Sequence, residues 1–338
     1  MRDARIKEDQ AAYYHIMSRV VDRRRVFDDR EKERFRLLMR DVEAFCGVQV
    51  TTYSALSNHF HILLHVPERE EVNDSVFGTR IRHLYKERRA GKITASLAEL
   101  RNDGQDKAAE ALKARYTYRM YDVSEFAKTL KQRTTQSYNR RHGRKGALWE
   151  ERFKSVLVGD SEGALSTVAA YIDLNAVRAG IVTDPKDYRF CGYGEAVGGS
   201  KLARAGLGRV MLARDQDPSW NAVSKQYREL LYLEGEACGV SKAGQPLKPG
   251  FTPETVREVL EAGGTLPINQ VLRCRVRYFT DGAVLGSKAY VEDVFQRHRE
   301  RFGEKRKTGA RTMAGCQWGD LCTVRRLRLE VITPPATC

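Results

Sequence analysis

The residues best suited to chemistry are two imidazoles in an apolar run, His59-Phe60-His61, inside the longer stretch Ser57-Asn58-His59-Phe60-His61-Ile62-Leu63-Leu64-His65-Val66. Side chains alternate faces along a strand, so His59 and His61 share one face while Phe60, Ile62 and Leu64 share the other. One face can build a core and the other can hold a metal ion. A strand with half-exposed histidines explains the same pattern, so the pair needs partners elsewhere in the chain.

Partners are offered by Tyr171 and Asn175. An Asn four residues after a Tyr on a helix sits on the same face, about one turn away. The spacing predicts that helix over 161–179, with Asp160 as N-cap, Gly180 just past its end and Pro185 blocking continuation. Leu165, Val168, Ala169, Ile172, Ala176 and Ala179 form its apolar stripe, and Tyr171, Asn175 and Arg178 an adjacent one. If that stripe looks at the histidine face, two imidazole nitrogens, a carboxamide oxygen and a phenol converge. Such a set suits a divalent ion, Mg²⁺ or Mn²⁺, with open positions for a phosphate. The phenol can then be a nucleophile, aided by the cation because its ordinary pKa is about 10. Tyr138 competes for that role, with His142 four residues on. However, Val123, Phe126, Leu130, Thr134 and Tyr138 form a helical stripe that core packing explains, and Tyr171 is preferred.

The elements that must position these residues read as β-α-β-β at the start: a strand over 11–20, a charged amphipathic helix over 29–45 closing at Gly47, and strands over 48–56 and 59–66 joined at Ser57-Asn58. A basic helix follows over 71–90, then a charged, partly helical excursion over 91–121 with an Asn102-Asp103-Gly104 turn. Ser124 is expected to cap a helix reaching Arg141, and 148–158 alternates like a strand. Beyond Gly199 glycine and charge rise, with short helices expected over 253–261, 267–276 and 288–301 and a basic tail over 304–328.

At 338 residues and 41% hydrophobic content the chain can build one large core or two ordinary ones. No apolar segment reaches the roughly 18 residues of a membrane span, and the charged N-terminus is no signal peptide, so a cytoplasmic location with no membrane partner is expected. Seven cysteines, Cys46, Cys191, Cys238, Cys274, Cys316, Cys322 and Cys338, are scattered without a CxxC pair, which argues against a disulfide framework or zinc ribbon. Lys and Arg number 59 against 44 acids, a net +15 that makes a polyanion the economical partner.

His59-Phe60-His61 resembles the His-hydrophobe-His motif of HUH single-strand endonucleases. Arg152-Phe153-Lys154-Ser155, the block Tyr171-Ile172-Asp173-Leu174-Asn175-Ala176-Val177-Arg178-Ala179-Gly180, and Asp187-Tyr188-Arg189-Phe190 resemble the signature of REP-associated tyrosine transposases. The resemblance runs over 11–193 and more loosely over 275–295, and departs at Ala176, where proline is usual.

The resemblance implies an α+β fold: a ferredoxin-like, RRM-like antiparallel sheet with helices packed on it, here assigned to 1–198. A linker or helical extension over 199–249 and a small, mostly helical C-terminal domain over 250–338 complete the expected organisation. The latter reads as a helix-turn-helix-like DNA-binding module or as a dimerisation unit, the chain acting alone or as a homodimer. The resemblance also implies that His59, His61 and Asn175 hold Mg²⁺ or Mn²⁺. Tyr171 then attacks single-stranded or hairpin DNA and forms a 5′-phosphotyrosine that can be rejoined or exchanged.

Beside such a site the cations Lys128, Lys131, Arg133, Arg140, Arg141, Arg144, Lys145, Arg152, Lys154 and Arg178 read as backbone-phosphate contacts, and Trp149 and Phe153 as base-stacking or buried aromatics. His65 has the parity of His61, but at about 3.3 Å per residue it lies roughly 13 Å further on, too far for the same ion; it reads as structural or DNA-contacting. A nucleoid-associated location follows from a DNA substrate. Two other functions stay open: a catalytically silent DNA- or RNA-binding protein on the same scaffold, and a metal phosphodiesterase that uses water.

Overall fold

The computed structural model describes residues 6–211, 219–232, 272, 277–314 and 317–325. Its first four strands are β1 (Ala12–Arg19), β2 (Gln49–Ala55), β3 (His59–Val66) and β4 (Lys154–Val158). They lie in the order β2-β3-β1-β4 with every neighbour antiparallel, which is the ferredoxin-like arrangement.

Helix α1 (Asp29–Cys46) opens where the Asp28 carboxylate accepts from Glu31 N at 2.8 Å, a cap worth about 1 kcal/mol, and ends at Gly47. The charged 71–121 stretch is ordered throughout as α2 (Asp74–Leu84), α3 (Glu87–Asn102) and α4 (Asp106–Thr117). Helix α5 (Val123–Arg141) is capped by Asp122 rather than Ser124, because the Asp122 carboxylate is the group that reaches Glu125 N. Only the end of 148–158 pairs as a strand; Trp149 makes a single bridge to Val20.

The helix expected over 161–179 is two. Ser161 stands at the N-cap of α6 (Glu162–Asp173), and Leu174, at φ −72° and ψ 0°, separates it from the single turn α7 (Asn175–Arg178). Ala176 therefore lies in a first helical turn, where a proline would also be tolerated, so the bend is present with alanine. Gly180, at φ +67°, adopts the left-handed conformation that lets Ile181 N reach back to Ala176 O at 3.0 Å.

The two sheet faces are built differently. Tyr14, Ile16, Tyr53, Phe60 and Ile62 pack toward α1, with the Phe35 ring tilted against Phe60 at 5.0 Å and the Trp149 ring edge-on to it at 5.4 Å. A bulge between Val50 and Thr52 shifts the β2 register and turns Thr52 and Ser54 to the histidine face. That face is covered by α6 and α9 (Lys201–Met211), reached through α8 (Gly192–Val197). Gly206 lets α9 ride directly on β2, since a Cβ there would meet Thr51 O at 2.4 Å. The β2 edge is covered by 188–191: Ala55 N donates to Phe190 O at 2.9 Å and Tyr188 Oη to Ala55 O at 2.6 Å. Helix α10 (Trp220–Tyr232) packs on α6 and α9.

The described C-terminal residues add three short strands to the helices expected there. After α11 (Arg277–Asp281) come β5 (Val284–Ser287), α12 (Lys288–Arg297), β6 (Arg311–Thr312) and β7 (Leu321–Thr323), and the three strands extend the same sheet as β4-β5-β7-β6. Strand β5 runs parallel to β4, with Leu157 opposite Val284. The Gly286-Ser287 pair opens α12 through a Ser287 cap on Tyr290 N, but on a strand of this sheet rather than in a helix-turn-helix. The helices expected over 253–261 and 267–276 fall, but for Leu272, outside the described residues.

Candidate active site

Strand β3 presents His59, half-buried, and His61, buried, to α6, as the alternation predicted. The Asn58 amide nitrogen donates to Arg23 O at 3.0 Å, which turns its oxygen to His59 Nδ1 at 2.6 Å. His59 Nδ1 therefore carries the proton and Nε2 keeps a lone pair, directed at the Asn175 carboxamide 3.3 Å away. Asn175 Oδ1 accepts from Arg178 at 3.1 Å, so it is the amide nitrogen that faces His59.

Tyr171 is only 2% exposed and lies over the same face. Its ring centre is 6.2 Å from that of His61 and 6.3 Å from that of His15, both edge-on, and 4.9 Å from Phe279. The Arg178 guanidinium carbon sits 3.9 Å from the Tyr171 ring centre, and Arg178 also donates to Leu272 O at 2.8 Å. The structure thus brings His59, His61, Tyr171, Asn175 and Arg178 together.

Tyr138 is elsewhere. It stacks on His142 at 4.2 Å and meets Phe27, itself packed on Trp149, on the Phe60 side of the sheet. Core packing accounts for it.

Three contributors had escaped the sequence reading. His15 is fully buried on β1; its Nε2 lies 2.9 Å from His61 Nδ1 and its Nδ1 2.8 Å from Phe279 O. Phe279 supplies that carbonyl from α11. Asp173, also fully buried, accepts from Thr52 Oγ1 at 2.9 Å, Tyr193 N at 3.1 Å and Tyr227 Oη at 2.5 Å, tying α6 to β2, α8 and α10. Asp173 had a signal, being the only acid in 163–179. His15 had little, because cross-strand register decides which residue of β1 meets His61.

Burial sets the electrostatics. It drives the His15 pKa down to about 3 and that of His61 well below the ordinary imidazole value, so both rings are neutral near pH 7. His65, its ring tilted against that of Tyr13 at 4.6 Å, is held at about 4 by burial and by nearby Arg209. Burial raises Asp173 to about 6 against the opposing pull of its hydrogen bonds.

The metal reading can be tested on the donor set. Among the described residues no group of three or more His, Cys, Asp or Glu is arranged to hold an ion. Two imidazoles and a carboxamide remain. They fit a divalent ion that takes its other ligands from water and phosphate oxygens, provided Asn175 turns its oxygen away from Arg178.

The predicted phosphate contacts divide by placement. Arg140, Lys145 and Arg152 are exposed, with no ion pair among the described residues. Lys128 pairs with Glu125 at 3.0 Å, Arg141 with Glu31, and Lys154 with Asp281 at 3.0 Å. Lys131 donates to Glu151 O at 2.5 Å, while Arg133 lies over Tyr85 and Arg144 over Tyr138. Trp149 and Phe153 are buried. Lys154 pairs in register with Met17, which pairs with His61, so it shares the histidine face.

Residues 9–104 match the family described as Transposase IS200 like. No curated protein matches the chain. Among solved structures, the chain is similar to a REP-associated tyrosine transposase bound to a REP hairpin, at 14% identity and a TM-score of 0.39, over 60% of this chain and 90% of that one. Among the described residues no helix is long and apolar enough to cross a membrane. The matched residues 9–104 carry His15, His59 and His61.

Proposed function

We propose that the chain is a transposase that cleaves and rejoins single-stranded, hairpin-forming DNA through Tyr171. The observation that carries this reading is the position of Tyr171 over the face that presents His59 and His61, under the Arg178 guanidinium. In the reaction the Tyr171 oxygen bonds to phosphorus and gives up its proton, the P–O3′ bond breaks, and the 3′ oxygen leaves as a hydroxyl. A 5′-phosphotyrosine results. The reverse attack by a 3′-hydroxyl restores a phosphodiester without an external energy source.

His59 and His61, with Asn175, would hold Mg²⁺ or Mn²⁺, which when bound offsets charge on the phosphate oxygens and favours the phenolate. The chain's own residues do the rest. Arg178 holds the Tyr171 ring from one side and Asn175 from the other, so nucleophile and carboxamide keep a fixed relation. Phe279 and the histidine rings exclude water from the ring edge. Because Tyr171 is buried, DNA must part some of these contacts to reach its hydroxyl. Exposed Arg140, Lys145 and Arg152, without an ion pair among the described residues, are the cations proposed to bind backbone phosphates. A cytoplasmic, nucleoid-associated protein is the consequence.

The test is incubation with labelled single-stranded hairpins from the flanks of its own gene and Mn²⁺ or Mg²⁺, resolved on a denaturing gel. The wild-type chain and Tyr138→Phe should form a metal-dependent covalent adduct that Tyr171→Phe lacks while still binding the hairpin. Cleavage without an adduct would make water the nucleophile, and binding without cleavage would make the chain a silent binding protein; either outcome rejects this reading.

A further inference from the structure

We propose that His15 is a positioning residue that fixes the tautomer of His61, and that the backbone carbonyl of Phe279 fixes that of His15. This relay leaves the His61 Nε2 lone pair available to a metal ion. The consequence for the metal rests on the reading of His61 as a ligand; the relay itself is a property of the chain alone.

Hydrogen-bond polarity fixes both tautomers. A carbonyl oxygen only accepts, so at 2.8 Å from Phe279 O the His15 Nδ1 must carry a proton. A neutral imidazole has one N–H, and His15 is fully buried with both ring nitrogens engaged and, among the described residues, no carboxylate bonded to either. Its Nε2 is therefore an acceptor. The atom 2.9 Å from it, His61 Nδ1, must be the donor. His61 in turn has its lone pair on Nε2. Were the relay reversed, the Phe279 carbonyl and a His15 lone pair would face each other across 2.8 Å in a buried site.

His59 arrives at the same tautomer by an independent route of the same design. Arg23 O orients the Asn58 amide, and the Asn58 oxygen accepts from His59 Nδ1. Two backbone carbonyls, far apart in sequence, thus present two Nε2 lone pairs. Outer hydrogen bonds of this kind orient metal-binding imidazoles and raise their basicity, and losing one costs about 10–100-fold in metal affinity. The relay also gives the C-terminal segment a task in the site, since Phe279 lies 264 positions from His15.

The experiment is a long-range ¹H–¹⁵N spectrum of the full, metal-free chain labelled at histidine nitrogens, with His15 and His61 assigned by the loss of their signals in His15→Gln and His61→Gln. Both rings should be Nδ1–H tautomers. In His15→Gln the new carboxamide oxygen can still accept from His61, so its tautomer and its Mn²⁺ affinity by calorimetry should stay near wild type. In His15→Leu no acceptor remains; His61 should populate both tautomers and Mn²⁺ affinity should fall about 10–100-fold. An Nε2–H tautomer of His61 in the wild-type chain, or an unchanged tautomer and affinity in His15→Leu, would overturn the relay. A wild-type chain that shows the Nδ1–H pattern yet binds no Mn²⁺ would support the relay and reject the metal reading instead.

Discussion

The guanidinium of Arg178 lies 3.9 Å from the centre of the Tyr171 ring while donating to Asn175 Oδ1 at 3.1 Å and to Leu272 O at 2.8 Å. One cation therefore joins three groups across the bend at Leu174. Had Arg178 been only a surface phosphate contact, none of these partners would be needed.

Arg178→Met should keep apolar cover over Tyr171 but lose the charge and the fork. With cation–π contacts worth up to about 2 kcal/mol when desolvated, adduct formation should fall by about tenfold or more while hairpin affinity changes little. Arg178→Lys keeps a charge without the planar fork and should recover only part of the rate. Single-turnover cleavage measured beside filter binding separates the two quantities. Equal losses in both would return Arg178 to the role of a phosphate contact.

Asp173 anchors the helix that carries Tyr171. Asp173→Ala would leave the donors Thr52, Tyr193 N and Tyr227 buried without their acceptor, at a cost of about 1–3 kcal/mol for the groups left unsatisfied. Asp173→Asn retains one acceptor oxygen and should cost less. Urea midpoints of the three proteins give the order wild type, Asn, Ala; an Ala variant as stable as wild type would refute the anchoring role.

His65 gives a pH dependence with a definite sign. Its folded-state pKa, about 4, lies below the unfolded value near 6.5, so the unfolded chain binds more protons between them. Its contribution is full above about pH 6.5 and is lost as pH falls toward 4. The buried Nδ1 has no hydrogen-bond partner among the described residues. His65→Phe keeps the ring contact with Tyr13 and removes both penalties, so its urea midpoint should meet or exceed wild type at pH 8 and exceed it further at pH 5. A gap that narrows on acidification would contradict this assignment.

Backbone-phosphate contacts have a salt signature. Each exposed cation that binds one phosphate on single-stranded DNA should contribute about 0.7 to the slope of log affinity against log salt. Arg140→Ala, Lys145→Ala and Arg152→Ala should each lower that slope, and Lys128→Ala, already paired with Glu125, should lower it less. Identical slopes for all four and wild type would place the DNA elsewhere on the surface.

Local periodicity carried much of this architecture. The alternation of 59–66 put His59 and His61 on one face, because that pattern is a property of one strand, and the spacing of Tyr171 and Asn175 put both toward it although Leu174 divides their helix in two. What escaped depends on how elements meet. His15 reaches His61 through the β1–β3 register, and Thr52 reaches Asp173 only because a bulge turns it over. The four residues of β5 are too few for a pattern and are defined by pairing parallel to β4. Tyr138 shows the converse: its helical stripe signalled a core position, and the core lies on the other side of the sheet.

The most direct measurement is the mass of the peptide that holds the adduct. Trypsin releases residues 155–178, whose only tyrosine is Tyr171, separately from residues 134–140, whose only tyrosine is Tyr138. After reaction with a hairpin and nuclease trimming, the 155–178 peptide should carry a phosphate-linked nucleotide, with fragment ions placing it at Tyr171. The same mass added to the 134–140 peptide, or to none, would contradict that placement.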